Sequence, residues 1–440
     1  PGSGLFQSGK VRLRRVQPMN SMLQMFQEFR DRFGPFRRAI RRLETQENKT
    51  FDLIFLHDIA GRFGHLWQDP VFVSWLYRVP PERILVVLCS PPCSEFAVQT
   101  LSRAGFTLCR ASDLDGGEMF AVYIDAFQIP EIDFFGKTVI KGHGLLYGIF
   151  YQHAVGHAGA LPNLIKTSYF EDRRSDLFAK YGIPADKPIA VVHVRESGWL
   201  RAAYHDFRNA SISNYVEAIN FLIATGFFVV RIGDASMTPV DVASADFLDL
   251  ARSGTFQDGE DACLIAYCSL YIGQTSGPYS LAAIMGKDAI ITNEPGAFIG
   301  RWVHDEETDP LMLVLFKTNV SRADGHRFSL LDILFRQVRH TAEEYERDGI
   351  DLVENTSEEI LLTVQEYLAR RSGAWDLTPD RARDEVLNLV WSMRQAAKVG
   401  FTGVGHPKAG CFVSHVHWRE LEADPALIGL LGDPGPIAGT

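Results

Sequence analysis

The chain has 440 residues, 46% of them apolar and 22% charged, with a formal net charge of −10. That length is too great for one ordinary core and that composition is folded rather than disordered, so two domains are expected. The acidic surplus argues against a general nucleic-acid binder. Six cysteines without a C-x-x-C pair argue against a zinc ribbon or a disulfide scaffold and fit a reduced, cytoplasmic setting, and no apolar run reaches the roughly 18–20 residues of a membrane span.

The first segment, 1–48, is basic: ten Lys and Arg residues fall between Lys10 and Arg42, interleaved with Met, Leu and Phe. It reads as one or two amphipathic helices broken near Gly34-Pro35. Such a helix either packs its apolar stripe on the first domain or docks on an anionic membrane surface, and packing is the commoner use. From Phe51 the pattern becomes α/β. "FDLIFL" and "RILVVLCS" read as buried strands, and "GFTLCR" and "MFAVYI" as two more. Continuous apolar runs of this kind belong to a parallel sheet covered on both faces. A linker-like "YGIPADKP" follows, placing a first domain at 49–183 and a second at 184–350.

The second domain alternates regularly. "PIAVVHV" is a strand, "SISNYVEAINFLIATG" a helix with a Ser start and a Gly stop, and "FFVVRIGD" a strand. "DGEDACLIAYCS" is a short helix, "LYIG" a strand, "SGPYSLAAIMG" a helix and "AIIT" a strand. This is the spacing of βαβ units. The remainder, 351–440, carries two further helical patterns, 356–371 and 380–399, and a Gly- and Pro-rich tail read as loop. The expected fold is α/β, with two Rossmann-like doubly wound domains facing a cleft. In such folds ligands sit beyond the carboxyl ends of the strands.

That rule selects the candidate residues. Gln274, Thr275, Ser276 and Gly277 lie between a strand end and a helix start, where backbone N–H groups and the helix dipole attract anions. A capped helix with nothing bound reads equally well there. Arg195, at a strand's carboxyl end in "VVHVRES", needs a paired anion; a diphosphate offers bidentate geometry, a structural ion pair the plainer alternative. Tyr204, His205, Asp206 and Arg208 crowd a polar loop suited to acceptor contacts or to solvent. Gly233 and Asp234 follow a strand as ordinary turn residues that can also admit a ligand. In "GRFGHLWQD", Gly64 and His65 occupy a glycine-rich turn after the first strand and offer room for a sugar or an imidazole base. No G-x-G-x-x-G, Walker or H-E-x-x-H pattern is present, and no metal is assigned.

These motifs carry a resemblance. "GHL" at Gly64–Leu66, "HVRE" at His193–Glu196, "AINFLIATGFFVVRIG" at Ala218–Gly233 and "YIGQTSGP" at Tyr271–Pro278 together resemble bacterial polysaccharide glycosyltransferases of the GT-B type. The "HVRE" strand is more distantly similar to the H-x-R-R-x-D strand of fucosyltransferases, with Glu196 in place of the second arginine. The "TSGP" turn is similar to the D-S-G-P turn of heptosyltransferases. The resemblance implies metal-independent transfer of a sugar from a nucleotide-activated donor, a co-substrate rather than a cofactor, to a glycan, lipid-linked or other hydroxyl acceptor. On that reading Arg195, Gly233, Asp234 and Gln274–Gly277 bind the donor. Gly64, Tyr204, His205, Asp206 and Arg208 meet the acceptor or line the loop; the base is one of His65, Glu196, His205 and Asp206, with His65 or Glu196 preferred, and Arg195 also stabilises the charge on the leaving diphosphate. The alternatives on the same architecture are a nucleotide-sugar epimerase and an inactive nucleotide- or glycan-binding protein. Peripheral attachment at the inner membrane face would accompany the basic segment.

Overall fold

Strand alternation splits the apolar residues between two cores. In β1 (Leu53–His57) Leu53 and Phe55 point into one, Ile54 and Leu56 into another. The structure is a computed structural model that describes residues 19–127, 129, 131–142, 161–198, 203–296, 310–329, 332–333, 339, 341–375 and 411–413. The helical pattern at 380–399 lies outside them.

The N-terminal sheet is built from β1, β2 (Ile84–Leu88), β3 (Thr107–Arg110), β4 (Glu131–Asp133) and β5 (Thr138–Lys141), in the order β3-β2-β1-β5-β4. All neighbours are parallel except β4, which runs antiparallel to β5. One face carries α1 (Met19–Glu47) and α4 (Gly117–Ala126); the other carries α2 (Phe63–Tyr77) and α3 (Glu95–Arg103). Ser94 starts α3 by accepting a hydrogen bond from the Ala97 N–H, 3.0 Å.

The second sheet has seven parallel strands: β6 (Ile189–His193), β7 (Phe228–Arg231), β8 (Phe247–Asp249), β9 (Leu270–Gly273), β10 (Ala289–Glu294), β11 (Met312–Phe316) and β14 (Cys411–Val413). Their order is β14-β11-β10-β9-β6-β7-β8. Counted along the chain this is the 3-2-1-4-5-6 order of a dinucleotide-type fold with one strand added. The inner face bears α5 (Glu171–Tyr181), α7 (Glu260–Tyr267) and α8 (Gly277–Ile284); the outer face bears α6 (Val216–Ala224) and α10 (Ser357–Arg371). A small antiparallel pair, β12 (Thr318–Ser321) with β13 (Ile350–Val353), and the short α9 (Ala342–Arg347) complete the described elements.

A single apolar cluster spans the space between the sheets. It joins Phe55, Val86, Leu66, Trp67 and Phe96 of the first domain to Val191, Tyr271, Leu264 and Leu281 of the second. The expected architecture of two doubly wound α/β units is therefore present, and the units meet through a packed helical layer.

Four local expectations are corrected. "MFAVYI" is helix: Phe120, Ala121 and Ile124 share one buried face at helical spacing, after Gly116 turns the chain at φ +75°. Helix α1 is not broken at Gly34-Pro35. Pro35 removes one donor inside it, but Phe33 and Phe36 are both fully buried and anchor the helix on either side. With Phe33, Phe36, Ala39 and Ile40 in the core, the apolar stripe packs inward and leaves Arg32, Arg38, Arg41 and Arg42 exposed. Gly64 and His65 lie in the first turn of α2, not in a loop, because Leu66 and Trp67 pull the chain onto the sheet at once. Finally, Cys411–Val413, in the tail read as loop, pairs with β11. Strands β4, β5, β8, β11, β12 and β13 were not anticipated. Among the described residues no helix is long and apolar enough to cross a membrane.

Candidate functional site

The switch point of the second sheet lies between β6 and β9, whose last residues His193 and Gly273 are register partners. One strand leads to α6 on the outer face and the other to α8 on the inner face, which opens a crevice at their carboxyl ends. Gly273 permits the approach: a Cβ there would stand 2.3 Å from the His193 carbonyl oxygen. The two segments singled out from sequence, Arg195 and Gln274–Gly277, emerge side by side from this point.

They are tied together directly. Gln274, buried, accepts the Arg195 N–H on Oε1 at 2.7 Å and donates through Nε2 to the Tyr215 hydroxyl at 2.6 Å. Tyr215 is also in hydrogen-bond contact with Thr292, 2.5 Å, and accepts from Asn293 Nδ2, 3.1 Å. Gln274 is thus a strut that fixes the Arg195 backbone. Thr275 donates its hydroxyl to the buried Glu294 at 3.0 Å, so its own contribution to a ligand is backbone. Ser276 is the N-cap residue of α8, yet its side chain caps nothing. Its hydroxyl sits 3.2 Å from His193 Nδ1 and 3.4 Å from the Tyr271 hydroxyl. A plain capped helix start would look different. His193 is held down to about 4 by burial and then by the Arg195 and Arg231 guanidinium groups, so it is neutral at pH 7.

The 3-10 turn Ala203–Arg208 folds over these residues. Arg208 donates to the Thr275 carbonyl at 3.2 Å, and Arg195 Nε donates to Asn209 Oδ1 at 3.1 Å. Asn209 in turn accepts, on its carbonyl, the ammonium of buried Lys317 at 2.6 Å. Burial pushes that lysine down to about 8 against the pull of Glu354 and Glu294. Asp206 accepts from Asn209 Nδ2, 2.9 Å, and braces the turn. Tyr204 contributes its backbone to the same turn. His205 is also held down to about 4, by desolvation first and then by Arg208, Arg195 and Arg62. Arg62 is the N-cap residue of α2, so three guanidinium groups from three elements and both domains act on one imidazole.

Across the crevice α2 starts where α8 starts. A Cβ on Gly64 would stand 2.9 Å from the Gly277 Cα and from Ser280 Oγ. His65 follows in the first turn of α2, with Nδ1 3.3 Å from the buried carboxylate of Asp69 one turn on. His57, at the end of β1, meets the His65 carbonyl through Nε2 at 3.2 Å and is shifted down by burial, hence neutral.

Three expected site residues have other duties. Glu196 accepts the Thr238 N–H at 2.6 Å and pairs at 3.4 Å with Arg231, which is fully buried and also bound to Asp249. Its carboxylate neutralises a core guanidinium and is not placed as a base. The space on the side a Cβ of Gly233 would take is filled by Met237, whose sulfur would lie 2.1 Å from it. Asp234 accepts the Ser236 N–H at 2.8 Å within its own turn. Sequence reasoning missed Arg62, Asp69, Tyr215, Glu294 and Lys317. Only Asp69 carried a signal, its helical i+4 spacing from His65.

No protein-family model matches the sequence, and no curated protein matches it. Among solved structures the chain is similar to a glycosyl transferase family 9 protein from Veillonella parvula DSM 2008, at 10% identity and a TM-score of 0.35 over 61% of this chain and 86% of that chain. It is also similar to the ADP-heptose LPS heptosyltransferase II of E. coli, at 13% identity and a TM-score of 0.39 over 60% and 90%. A third is the iron-containing dodecameric glycosyltransferase TibC of enterotoxigenic E. coli H10407, at 13% identity and a TM-score of 0.34 over 73% and 78%.

Proposed function

We propose that this chain is a glycosyltransferase that moves a sugar from a nucleoside-diphosphate donor to a hydroxyl acceptor on a glycan or lipid-linked glycan. The observation that carries the reading is the meeting of Arg195 and Arg208 at the Gln274–Gly277 segment that starts α8 at the switch point, across from an imidazole oriented by a buried carboxylate. Guanidinium groups beside the backbone amides of a helix start are donors that a diphosphate matches in geometry and charge.

In this reading Arg195, Arg208 and the backbone amides around Ser276 and Gly277 hold the diphosphate. The bond from the anomeric carbon to the diphosphate oxygen breaks with its electron pair on that oxygen, where these groups stabilise the developing charge. The acceptor oxygen forms the new bond to the anomeric carbon and gives its proton to His65. With Nδ1–H directed at Asp69, the basic lone pair of His65 falls on Nε2. Glu196 is engaged by Arg231, which leaves a single displacement with inversion as the favoured course. Because the diphosphate is balanced by guanidinium groups, the reading is metal-independent. The cytoplasmic location and a peripheral membrane contact through exposed Arg32, Arg38, Arg41 and Arg42 belong to the same proposal. Loss of co-sedimentation with phosphatidylserine vesicles when these four are changed to Gln would support the contact.

The test is a thermal-shift panel of UDP, GDP, ADP, CDP and CMP on the full chain. One of the diphosphates should raise the melting temperature, and the double variant Arg195→Ala, Ser276→Ala should abolish the shift. A panel with no response overturns the reading.

A further inference from the structure

We propose that Lys317 is a positioning residue for the anion site: by holding the Asn209 carbonyl it fixes the acceptor that sets the Arg195 guanidinium. The proposal rests on the diphosphate site described above.

Arg195 takes its side-chain setting from Asn209. Asn209 Oδ1 accepts from Arg195 Nε at 3.1 Å, and the next residue, Ala210, donates its N–H to the Arg195 carbonyl at 3.0 Å. Asn209 is itself held at three points. Its N–H goes to the Asp206 carbonyl at 2.9 Å and its Nδ2 to the Asp206 carboxylate at 2.9 Å. Both partners belong to the same turn, so they shape it without tying it to the sheet. The third contact does tie it: the Asn209 carbonyl accepts from Lys317 Nζ at 2.6 Å.

Lys317 is built as a fixed post. It lies between β11 and β12 and is 3% exposed. Its N–H donates to the Glu294 carbonyl at 2.9 Å, and its carbonyl accepts from Asn319 Nδ2 at 3.1 Å. The preceding carbonyl, of Phe316, accepts from Asn355 Nδ2 at 2.8 Å. Burying an ammonium is costly unless it is compensated, and a charged donor makes the stronger hydrogen bond. Two carboxylates that also hold the site's backbone supply the compensating charge. Glu294 accepts the Thr275 hydroxyl, and Glu354 accepts the Ser211 N–H at 2.8 Å. The Arg195 side and the Thr275 side of the crevice are thus braced from the same strand ends.

Removing the ammonium releases one end of the segment only. Ser211 stays on Glu354, and Asn214 Nδ2 stays on the Asn355 carbonyl at 3.0 Å. Asn209 gains freedom and Arg195 Nε loses a fixed acceptor. A guanidinium that must be ordered on binding costs side-chain entropy that a preset one does not.

The experiment uses the full chain and Lys317→Met, which keeps most of the side chain's volume and has no donor. In the ligand-free protein the Arg195 Nε–H resonance, assigned by its loss in Arg195→Lys, should exchange with solvent about tenfold faster in the variant. Calorimetry with whichever of UDP, GDP, ADP or CDP stabilises the protein most should show affinity about tenfold weaker in Lys317→Met. The same substitution placed on Arg195→Ala should change affinity by less than about twofold, because the side chain it acts through is gone. A general loosening of the domain would weaken binding equally in both backgrounds. If Lys317→Met does not fold, Lys317→Gln, one bond too short to reach the Asn209 carbonyl, takes its place. Unchanged exchange, unchanged affinity, or an equal loss of affinity in both backgrounds overturns this proposal while the diphosphate site stands. Failure of every nucleoside diphosphate to bind the unaltered chain overturns the site and the proposal together.

Discussion

Gly64 of the first domain rests against Gly277 of the second, so closely that a Cβ on Gly277 would lie 2.9 Å from the Gly64 backbone nitrogen. Two helix starts, one bearing His65 and one aimed at the crevice, are held at the closest distance two backbones allow. Gly277→Ala should force them apart. Its neighbour is backbone and cannot rotate away, so a loss of about 1–3 kcal/mol in stability is expected. A displacement of roughly 1 Å between base and leaving-group site should cost turnover on the order of 10²-fold. Thermal melts and steady-state kinetics check the two effects separately.

Removing single cations from the crevice should act on binding. Arg195→Ala and Arg208→Ala are each expected to weaken nucleoside-diphosphate affinity by about 10- to 100-fold, the worth of a charge-assisted hydrogen bond. Glu196→Gln should behave in the opposite way. It leaves Arg231 with less compensation in a fully buried position, so the melting temperature falls while affinity holds. Calorimetry paired with thermal denaturation on the three variants distinguishes a ligand contact from a structural ion pair.

Changes at the His65–Asp69 pair should act on rate. His65→Ala is expected to lower kcat by roughly 10²–10⁴ with donor affinity nearly unchanged, as for loss of a general base. Asp69→Asn should lower kcat as well, because the His65 ring loses the carboxylate that orients it. The anomeric proton coupling of the product, read by NMR, should report inversion.

Stability should depend on pH through His193. Its folded-state pKa, about 4, lies below the ordinary histidine value of 6.5, so the unfolded chain binds more protons between those limits. The contribution is complete above pH 6.5 and is lost as pH falls from there through 4. For so deeply buried a group it amounts to about 3 kcal/mol. Urea denaturation at pH 7.5 and at pH 4.5 should show the difference, and His193→Gln should shrink it.

Much of the fold was legible because buried parallel strands leave long apolar runs. "FDLIFL", "RILVVLCS", "PIAVVHV" and "LYIG" all became strands for that reason. "MFAVYI" misled because a buried helix face and a buried strand look alike over six residues. At the site, Arg195 and the Gln274–Gly277 turn stood out through their places at strand ends. What the individual side chains do there was hidden. Glu196 is spent on Arg231, 35 positions away in sequence, and Met237 fills the space beside Gly233 from within the same loop. Arg62 gave no local sign at all, because its relation to Arg195 and Arg208 arises only when the two domains meet.

The central claim is that a diphosphate is held between Arg195, Arg208 and the start of α8. A crystal structure of the full chain soaked with the nucleoside diphosphate that stabilises it most would test this directly. Diphosphate oxygens within hydrogen-bond distance of both guanidinium groups and of the Ser276–Gly277 backbone are the predicted result. A diphosphate bound elsewhere, with Arg195 and Arg208 still turned to Asn209 and Thr275 and no anion between them, would contradict it.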